Sequence, residues 1–304
     1  MTQETIQGDD VPALGLGTWQ LKGTTCYDAV RHALDLGVRH IDTAEMYGNE
    51  AEVGRAVHDA PTNRDAVFLT TKVWHTNLRP DDARAAAEES LRKLRTDYVD
   101  LLLIHWPNAS VPLEHTLDAL LDLKAAGKTR HIGVSNFPPS LVQRALDHTS
   151  IFCNQVEYHP FLSQAPLLDL ARTHDFLLTA YSPLAKGSVM NRSLSPRRAL
   201  KALKQDSAPA DRLANALKNL LGTGTGTLQA LADQYGKSPA QIAIRWLVQQ
   251  DHVAAIPRSS DPDHRAANAD VFDFSLSDEE MQLIHGLARS DRKVDPHFAP
   301  HWEA

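Results

Sequence analysis

Short apolar runs rich in Val, Ile and Leu alternate along this chain with longer stretches whose apolar positions recur at helical spacing. The runs lie at 13–19, 38–42, 67–73, 98–105, 131–135, 152–157, 176–181 and 253–257, eight in all. The amphipathic stretches lie at about 26–36, 50–58, 82–94, 114–126, 140–148, 165–173, 228–235 with 239–249, and 262–270. Near-continuous apolar strands separated by helices predict a parallel sheet covered on both faces. Eight such pairs predict an α/β fold, a (β/α)8 TIM barrel, in one domain spanning residues 1–304. The competing architecture is a doubly wound sheet, which carries a Gly-rich dinucleotide turn where its first helix opens. Here Gly15-Leu16-Gly17 lies inside the first run and is followed by Thr18, Trp19 and Gln20, with no third glycine. It reads as a barrel strand.

One segment breaks the rhythm. Between the seventh strand, ending near Tyr181, and the helix starting near Leu228 lies the stretch 192–226. It holds two amphipathic pieces, 195–204 and 210–221, joined at Asp206-Ser207-Ala208-Pro209, with Leu213, Leu217 and Leu220 sharing one helical face. It closes with Gly222-Thr223-Gly224-Thr225-Gly226, which reads as a flexible linker. Seven Lys/Arg against two Asp give it a net charge of +5. The expectation is a helical-hairpin insertion in the loop after strand seven, with a tolerated surface insertion as the plainer reading.

Composition narrows the function classes without choosing one. A chain of 304 residues that is 42% hydrophobic and 23% charged has the make-up of an ordinary globular protein. Its net charge of −7 argues against nucleic acid, which needs a basic face. The two cysteines, Cys26 and Cys153, offer neither a disulfide framework nor a metal-ligand cluster, so no metal is expected and a reducing cytoplasm is the simplest compartment. The N-terminus lacks the basic and apolar regions of a signal peptide. No apolar run approaches the roughly 18 residues that span a bilayer, so no membrane partner is expected.

Four ionisable residues fall at strand ends or the loops after them, where a barrel gathers its active site. Asp42 ends the second run, Tyr47 follows five residues later, Lys72 ends the third run and His105 the fourth. Singly, each has an ordinary structural explanation: a helix cap, a loop aromatic, a solvated strand end, a satisfied core histidine. Together they form a proton donor and its support. A tyrosine hydroxyl titrates near 10 and donates poorly at neutral pH. A neighbouring ammonium stabilises the phenolate and lowers that value, an aspartate holds the ammonium, and a histidine can hydrogen-bond the substrate oxygen. Such a group suits protonation of an oxygen becoming an alkoxide, hence carbonyl reduction with hydride from a cofactor.

The residues that carry this chemistry sit in longer motifs. Asp42-Thr43-Ala44-Glu45-Met46-Tyr47-Gly48-Asn49-Glu50, Asp100-Leu101-Leu102-Leu103-Ile104-His105-Trp106-Pro107, Gly133-Val134-Ser135-Asn136-Phe137, Asn154-Gln155-Val156-Glu157 and Ala180-Tyr181-Ser182-Pro183-Leu184 resemble the aldo-keto reductase family. The ending Val294-Asp295-Pro296-His297-Phe298-Ala299-Pro300-His301-Trp302-Glu303 is similar to that of its short bacterial 2,5-diketo-D-gluconate reductases. The resemblance covers the chain except 192–226. It implies a nicotinamide cofactor bound extended on the barrel, with Asp42, Tyr47, Lys72 and His105 as the catalytic tetrad. It implies that Ser135, Asn136 and Gln155 hold the carboxamide and that Tyr181 stacks on the ring. Gly17, Thr18, Ser182 and Leu184 complete the cofactor contacts, and Trp19, Trp74 and Trp106 line the substrate pocket. It also implies a small carbonyl substrate, such as 2,5-diketo-D-gluconate or methylglyoxal, and a monomer.

The cofactor's 2′-phosphate site departs from the family pattern of Lys-Ser, then Arg, then Glu-Asn. Arg258 and Ser259 keep the first roles, His264 replaces the arginine, Ala267 replaces the glutamate and Asn268 is retained, while Asp261 and Asp263 add negative charge. Arg258 and Arg265 still favour phosphate. The expectation is NADP(H), with NAD(H) as a second cofactor. Two alternatives stay open at this point: a catalytically idle, cofactor-binding scaffold, and an engineered barrel carrying a grafted partner-binding insertion at 192–226.

Overall fold

The computed structural model describes residues 2–190 and 224–303. The chain enters through an antiparallel hairpin of β1 (Gln3–Ile6) and β2 (Asp9–Pro12) that the apolar pattern does not announce. Its two turn residues, Gln7 and Gly8, both take positive φ, 51° and 88°. That pairing matches the right-handed twist of tight hairpins, and glycine adopts it freely.

Eight parallel strands follow: β3 (Gly15–Gly17), β4 (His40–Asp42), β5 (Phe68–Val73), β6 (Val99–Ile104), β7 (Thr129–Ser135), β8 (Cys153–Glu157), β9 (Leu177–Tyr181) and β10 (Val253–Ala255). Each pairs with its neighbour in sequence order. The sheet closes on itself where Leu14 bridges Ala255 in parallel, Ala255 N donating to Ala13 O at 2.8 Å and Gly17 N to Pro257 O at 3.2 Å. All eight apolar runs are therefore strands of a (β/α)8 TIM barrel, and the doubly wound alternative is excluded. Gly15 and Gly17 are strand residues. A Cβ on Gly17 would lie 2.8 Å from Ile256 O, so glycine permits the close approach at the seam.

The covering helices are α1 (Gly23–Asp35), α2 (Glu50–His58), α3 (Pro80–Leu94), α4 (Leu113–Ala125), α5 (Pro139–His148), α6 (Ala165–His174), α7 (Gly224–Tyr235), α8 (Pro239–Val248) and α9 (Pro262–Ala269). A further helix, α10 (Asp278–His285), lies outside the expected pattern; Ser277 and Glu280 form its capping box. The helical hairpin expected within 192–226 falls outside the described residues except for its last three. Those three, Gly224, Thr225 and Gly226, open α7 and are not a linker. Leu228 and Ala232 are fully buried, and packing of that face carries the helix back through two poor helix formers.

Strand alternation divides the core in two. Leu69, Val73, Leu102 and Ile104 point outward and pack in the layer that includes Leu91, Leu117 and Leu120 of the helices. Phe68, Leu101, Leu103, Cys153, Leu177 and Ala254 fill the barrel interior, with Ile6 and Val11 of the hairpin packed against them. Cys26 and Cys153 are free and buried, and burial pushes both thiols up to about 12. No helix among the described residues is long and apolar enough to cross a membrane.

Candidate active site

The period of two that sends Phe68 into the barrel also sends Thr70 and Lys72 inward, Lys72 at the C-terminal end. The same parity carries Asp42 on β4, Gln155 and Glu157 on β8, and Tyr181 on β9. Tyr47 comes from the loop after β4, in a 3-10 turn over Glu45–Tyr47 that Gly48 ends at φ 59°. Lys72 Nζ donates to Asp42 Oδ1 at 2.6 Å, to Thr43 O at 2.8 Å and to Tyr47 Oη at 3.3 Å. Gln155 Nε2 donates to the other Asp42 oxygen at 2.7 Å. The His105 ring stands edge-on to Tyr47, centroids 5.5 Å apart. The structure thus brings all four tetrad residues together.

Burial sets their protonation. It pushes the Tyr47 phenol well above its ordinary value, with the Asp42 charge adding to it. It pulls the Lys72 ammonium below its ordinary value against the opposing pull of Asp42. It holds His105 well below the usual histidine range, Lys72 and His75 adding to the shift. The tyrosine is therefore a neutral phenol in the free protein. The direction is opposite to the lowered value expected from the lysine: burial and the Asp42 charge raise it in the free protein. His105 is a neutral imidazole whose Nδ1 is buried without a partner among the described residues. A sealed, unpartnered nitrogen is cheaper as a lone pair than as an N–H, which places the proton on Nε2.

Next to the tetrad lies an amide cluster. Asn136, at φ 64°, donates through Nδ2 to His105 O at 2.9 Å and Ser135 Oγ at 3.1 Å, and accepts from Tyr181 Oη at 2.7 Å. Ser135 Oγ donates to Gln155 O at 2.8 Å. A hydroxyl and two primary amides at adjacent strand ends, beside a half-buried tyrosine, fit a nicotinamide carboxamide. Each amide has further bonding capacity of its own. Gly17 and Thr18 lie at the end of β3 beside Asp42, and the buried Thr18 hydroxyl donates to Asp42 O at 2.9 Å. Ser182, at φ 49°, opens the loop after β9, and Leu184 follows it.

At the other end of the cleft, Arg258 is exposed and donates to Gln20 Oε1 at 2.9 Å. Ser259 Oγ receives the Asp261 N–H at 3.1 Å, and Asp261 Oδ1 caps the His264 N–H at 3.0 Å. An acid therefore occupies the α9 N-terminus beside His264, and Asn268 is buried on the same helix. Arg265 is turned under the loop, donating to Ser259 O at 3.1 Å and His32 Nδ1 at 3.2 Å. Of these two arginines, Arg258 is the exposed one.

The aromatic wall is larger than expected. Trp74 stands edge-on to His105 at 5.0 Å, Trp106 is buried, and Trp19 is exposed at the rim under Lys186. The C-terminal tail adds Phe298, which stacks on His75 at 4.2 Å and meets Trp74 and Trp106 at 5.6 Å each. Trp302 follows, 6.1 Å from Trp106. The carboxylate of Glu157 fixes the tail, accepting from Lys293 N at 2.8 Å and Val294 N at 2.8 Å. Glu45 ties the Tyr47 turn to the wall by accepting from Trp74 N at 2.8 Å and Asn77 Nδ2 at 2.5 Å. Sequence reasoning misses Glu45, Glu157, His75, Phe298 and Trp302 as site residues. Only the position of Glu157 at a strand end could draw attention to it.

Residues 13–289 match the model of the aldo/keto reductase family. Methylglyoxal reductase DkgB of Salmonella typhi is 35% identical over 301 residues, spanning 96% of this chain and 99% of its own. The corresponding protein of Yersinia pestis is 36% identical over 299 residues, with 96% and 99% covered. A solved structure assigned as a 2,5-diketo-D-gluconic acid reductase B superposes with a TM-score of 0.86 at 40% identity, covering 100% of this chain and 98% of that one. A point mutant of Gox0644 in complex with NADPH superposes with a TM-score of 0.81 at 31% identity, with 98% and 97% covered. With its barrel closed and its Asp-Tyr-Lys-His set assembled at the C-terminal face, the chain belongs to the aldo/keto reductase family.

Proposed function

We propose that Tyr47 delivers the proton in reduction of small dicarbonyls and oxo-sugar acids of the methylglyoxal and 2,5-diketo-D-gluconate type, with Asp42, Lys72 and His105 as its support. The observation that carries this is the 3.3 Å contact from Lys72 Nζ to Tyr47 Oη inside the Asp42 ion pair. His105 Nε2–H binds the substrate oxygen. Lys72 stabilises the phenolate as the proton leaves, and Asp42, held by Gln155, keeps the ammonium charged and aimed. Ser135, Asn136 and Gln155 hold the carboxamide, and Tyr181, steadied by Asn136, sets the ring face; Gly17, Thr18, Ser182 and Leu184 line its path. A bound nicotinamide supplies the hydride. Arg258, Ser259, His264 and Asn268 take the adenine end, and the thin basic charge there supports NADP(H) with use of NAD(H). Trp19, Trp74 and Trp106 exclude water from the carbonyl.

Tyr47→Phe keeps the ring and removes the acid. Its turnover with methylglyoxal should fall roughly 10²–10⁴-fold while NADPH affinity is retained. Wild-type turnover in that variant would refute the assignment. The idle-scaffold alternative is not favoured, since the full proton-transfer set is intact. We further infer one cytoplasmic, monomeric barrel domain over 1–304 with 192–226 as an insertion after β9. Because Gly224–Gly226 belong to α7, the deletion to make is 192–223; behind a short turn it should leave the thermal transition in place. Loss of that transition would make the segment part of the barrel.

A further inference from the structure

A cavity of about 400 Å³ opens at the N-terminal end of the barrel, opposite the tetrad, between the hairpin and the starts of β4 to β7. Phe68, the first residue of β5, lines it, and Lys72 stands four residues further along that strand, about 13 Å away at the rise of a strand. Asp10, Arg39, Asp65, Asp100 and Arg130 give the walls their charge. Most of that charge is matched within the protein. Asp100 is buried; its Oδ2 accepts from Leu69 N and Arg64 Nη2, each at 2.9 Å, and its Oδ1 lies 3.2 Å from Arg130 Nη1. Asp65 Oδ1 accepts from Tyr98 Oη at 2.8 Å and lies 3.9 Å from Arg130 Nη2. Arg39 and Asp10 are not matched. Arg39 Nη1 donates to the backbone carbonyls of Leu34 at 2.7 Å and Val38 at 2.9 Å. Its Nε and Nη2 have no partner, and it forms no ion pair, among the described residues. Asp10 Oδ1 accepts from Thr5 Oγ1 at 2.8 Å, and its Oδ2 has no partner among the same residues.

Nε and Nη2 form one edge of the guanidinium, a fork that takes both oxygens of a carboxylate. Arg39 is half-buried and already pinned through Nη1, so the fork loses little side-chain entropy when it binds. Two carbonyls keep it from pairing with any of the three carboxylates in the same cavity. A bare anion would gain the fork but meet the charge of Asp10, since Arg64 and Arg130 offset only Asp65 and Asp100. A ligand with an ammonium beside its carboxylate satisfies both unmatched groups. We propose that this cavity binds a small zwitterion of the amino-acid class, its carboxylate on Arg39, its ammonium on Asp10 and its carbon chain on Phe68 and Pro12. The cavity shares no residue with the tetrad or the cofactor cleft, so the inference stands apart from the reductase reading.

The measurement is a ligand-observed NMR titration of the full chain at neutral pH and constant ionic strength. The probes are 4-aminobutyrate and L-norvaline as zwitterions, with butyrate and butylamine as single-charge controls. At least one zwitterion should bind in the millimolar range, roughly tenfold or more tighter than either control. Arg39→Gln and Asp10→Asn should each weaken that binding roughly tenfold or more, while turnover of methylglyoxal stays at the wild-type level. Butyrate bound as tightly as the zwitterion would make this a plain anion site and overturn the proposal. So would no binding of either zwitterion, or binding that neither substitution weakens, which would place the ligand elsewhere on the protein. If Arg39→Gln does not fold, Arg39→Lys keeps the charge and loses the fork, and Asp10→Asn changes only an exposed strand of the hairpin. Weaker zwitterion binding in both supports the site, and unaltered binding in both overturns it. The titration reads the cavity without turnover, so failure of the reductase reading would leave its result standing.

Discussion

Lys72→Met tests how the tetrad works. The lysine is 1% exposed and its ammonium lies 3.3 Å from Tyr47 Oη. At an effective dielectric near 20, unit charges at that distance attract by about 5 kcal/mol. Hydride and proton transfer leave the phenolate only partly charged in the transition state; taking about half of that figure gives about 2.5 kcal/mol, close to a 70-fold loss of rate. Methionine keeps the volume and removes the charge, so the loss should appear in kcat rather than in substrate affinity. Folding should suffer as well. Asp42 would keep Gln155 Nε2 as its side-chain donor but lose its counter-ion. Removing one member of a buried ion pair costs roughly 3–5 kcal/mol, and the retained Gln155 bond puts this case at the low end. The assay is single-turnover oxidation of NADPH by methylglyoxal at neutral pH, with a thermal melt of the same sample. A stable variant with hydride transfer within about threefold of wild type would refute the electrostatic role assigned to the lysine.

The pKa directions make a second prediction. His105 titrates well below the usual histidine range and Tyr47 well above the usual phenol range. The rate of reduction should therefore stay flat from about pH 6 to 8. Lys72 is active when protonated and its value is pulled below 10.5, so the rate should fall as rising pH strips that proton. A step in kcat between about pH 6 and 7 would show that His105 is charged in the working enzyme. The third prediction concerns cofactor choice. His264→Arg adds a fixed charge where the acid Asp261 caps α9. It should tighten NADPH roughly tenfold and leave NADH little changed. Equal effects on both cofactors, read by fluorescence titration, would mean that residue 264 does not meet the 2′-phosphate.

What can be read from the sequence is what strand period controls. Eight apolar runs are eight strands, because a parallel barrel buries both strand faces and leaves no polar alternation to confuse the signal. The same period places Asp42, Lys72, Gln155 and Tyr181 at inward strand ends. The hairpin of β1 and β2 escapes, since its strands have four residues each and its turn is Gln-Gly rather than a stronger signal. The glycines of α7 mislead, because tertiary packing of Leu228 and Ala232 overrides local propensity. Residues acting from aperiodic segments stay invisible. Phe298 and Trp302 lie in a tail without regular structure that Glu157, more than a hundred residues earlier in the chain, ties down. Tyr47, the proposed proton donor, belongs to both kinds. Tyr47 is readable because it follows a strand end. Its pKa is misjudged because the sequence shows which charges are near and not how much water is missing. In a buried ion pair desolvation decides the resting state, and the ammonium counts only when the phenolate forms. On that distinction the role proposed for Lys72 lies in the transition state, which is why its removal should lower kcat more than affinity.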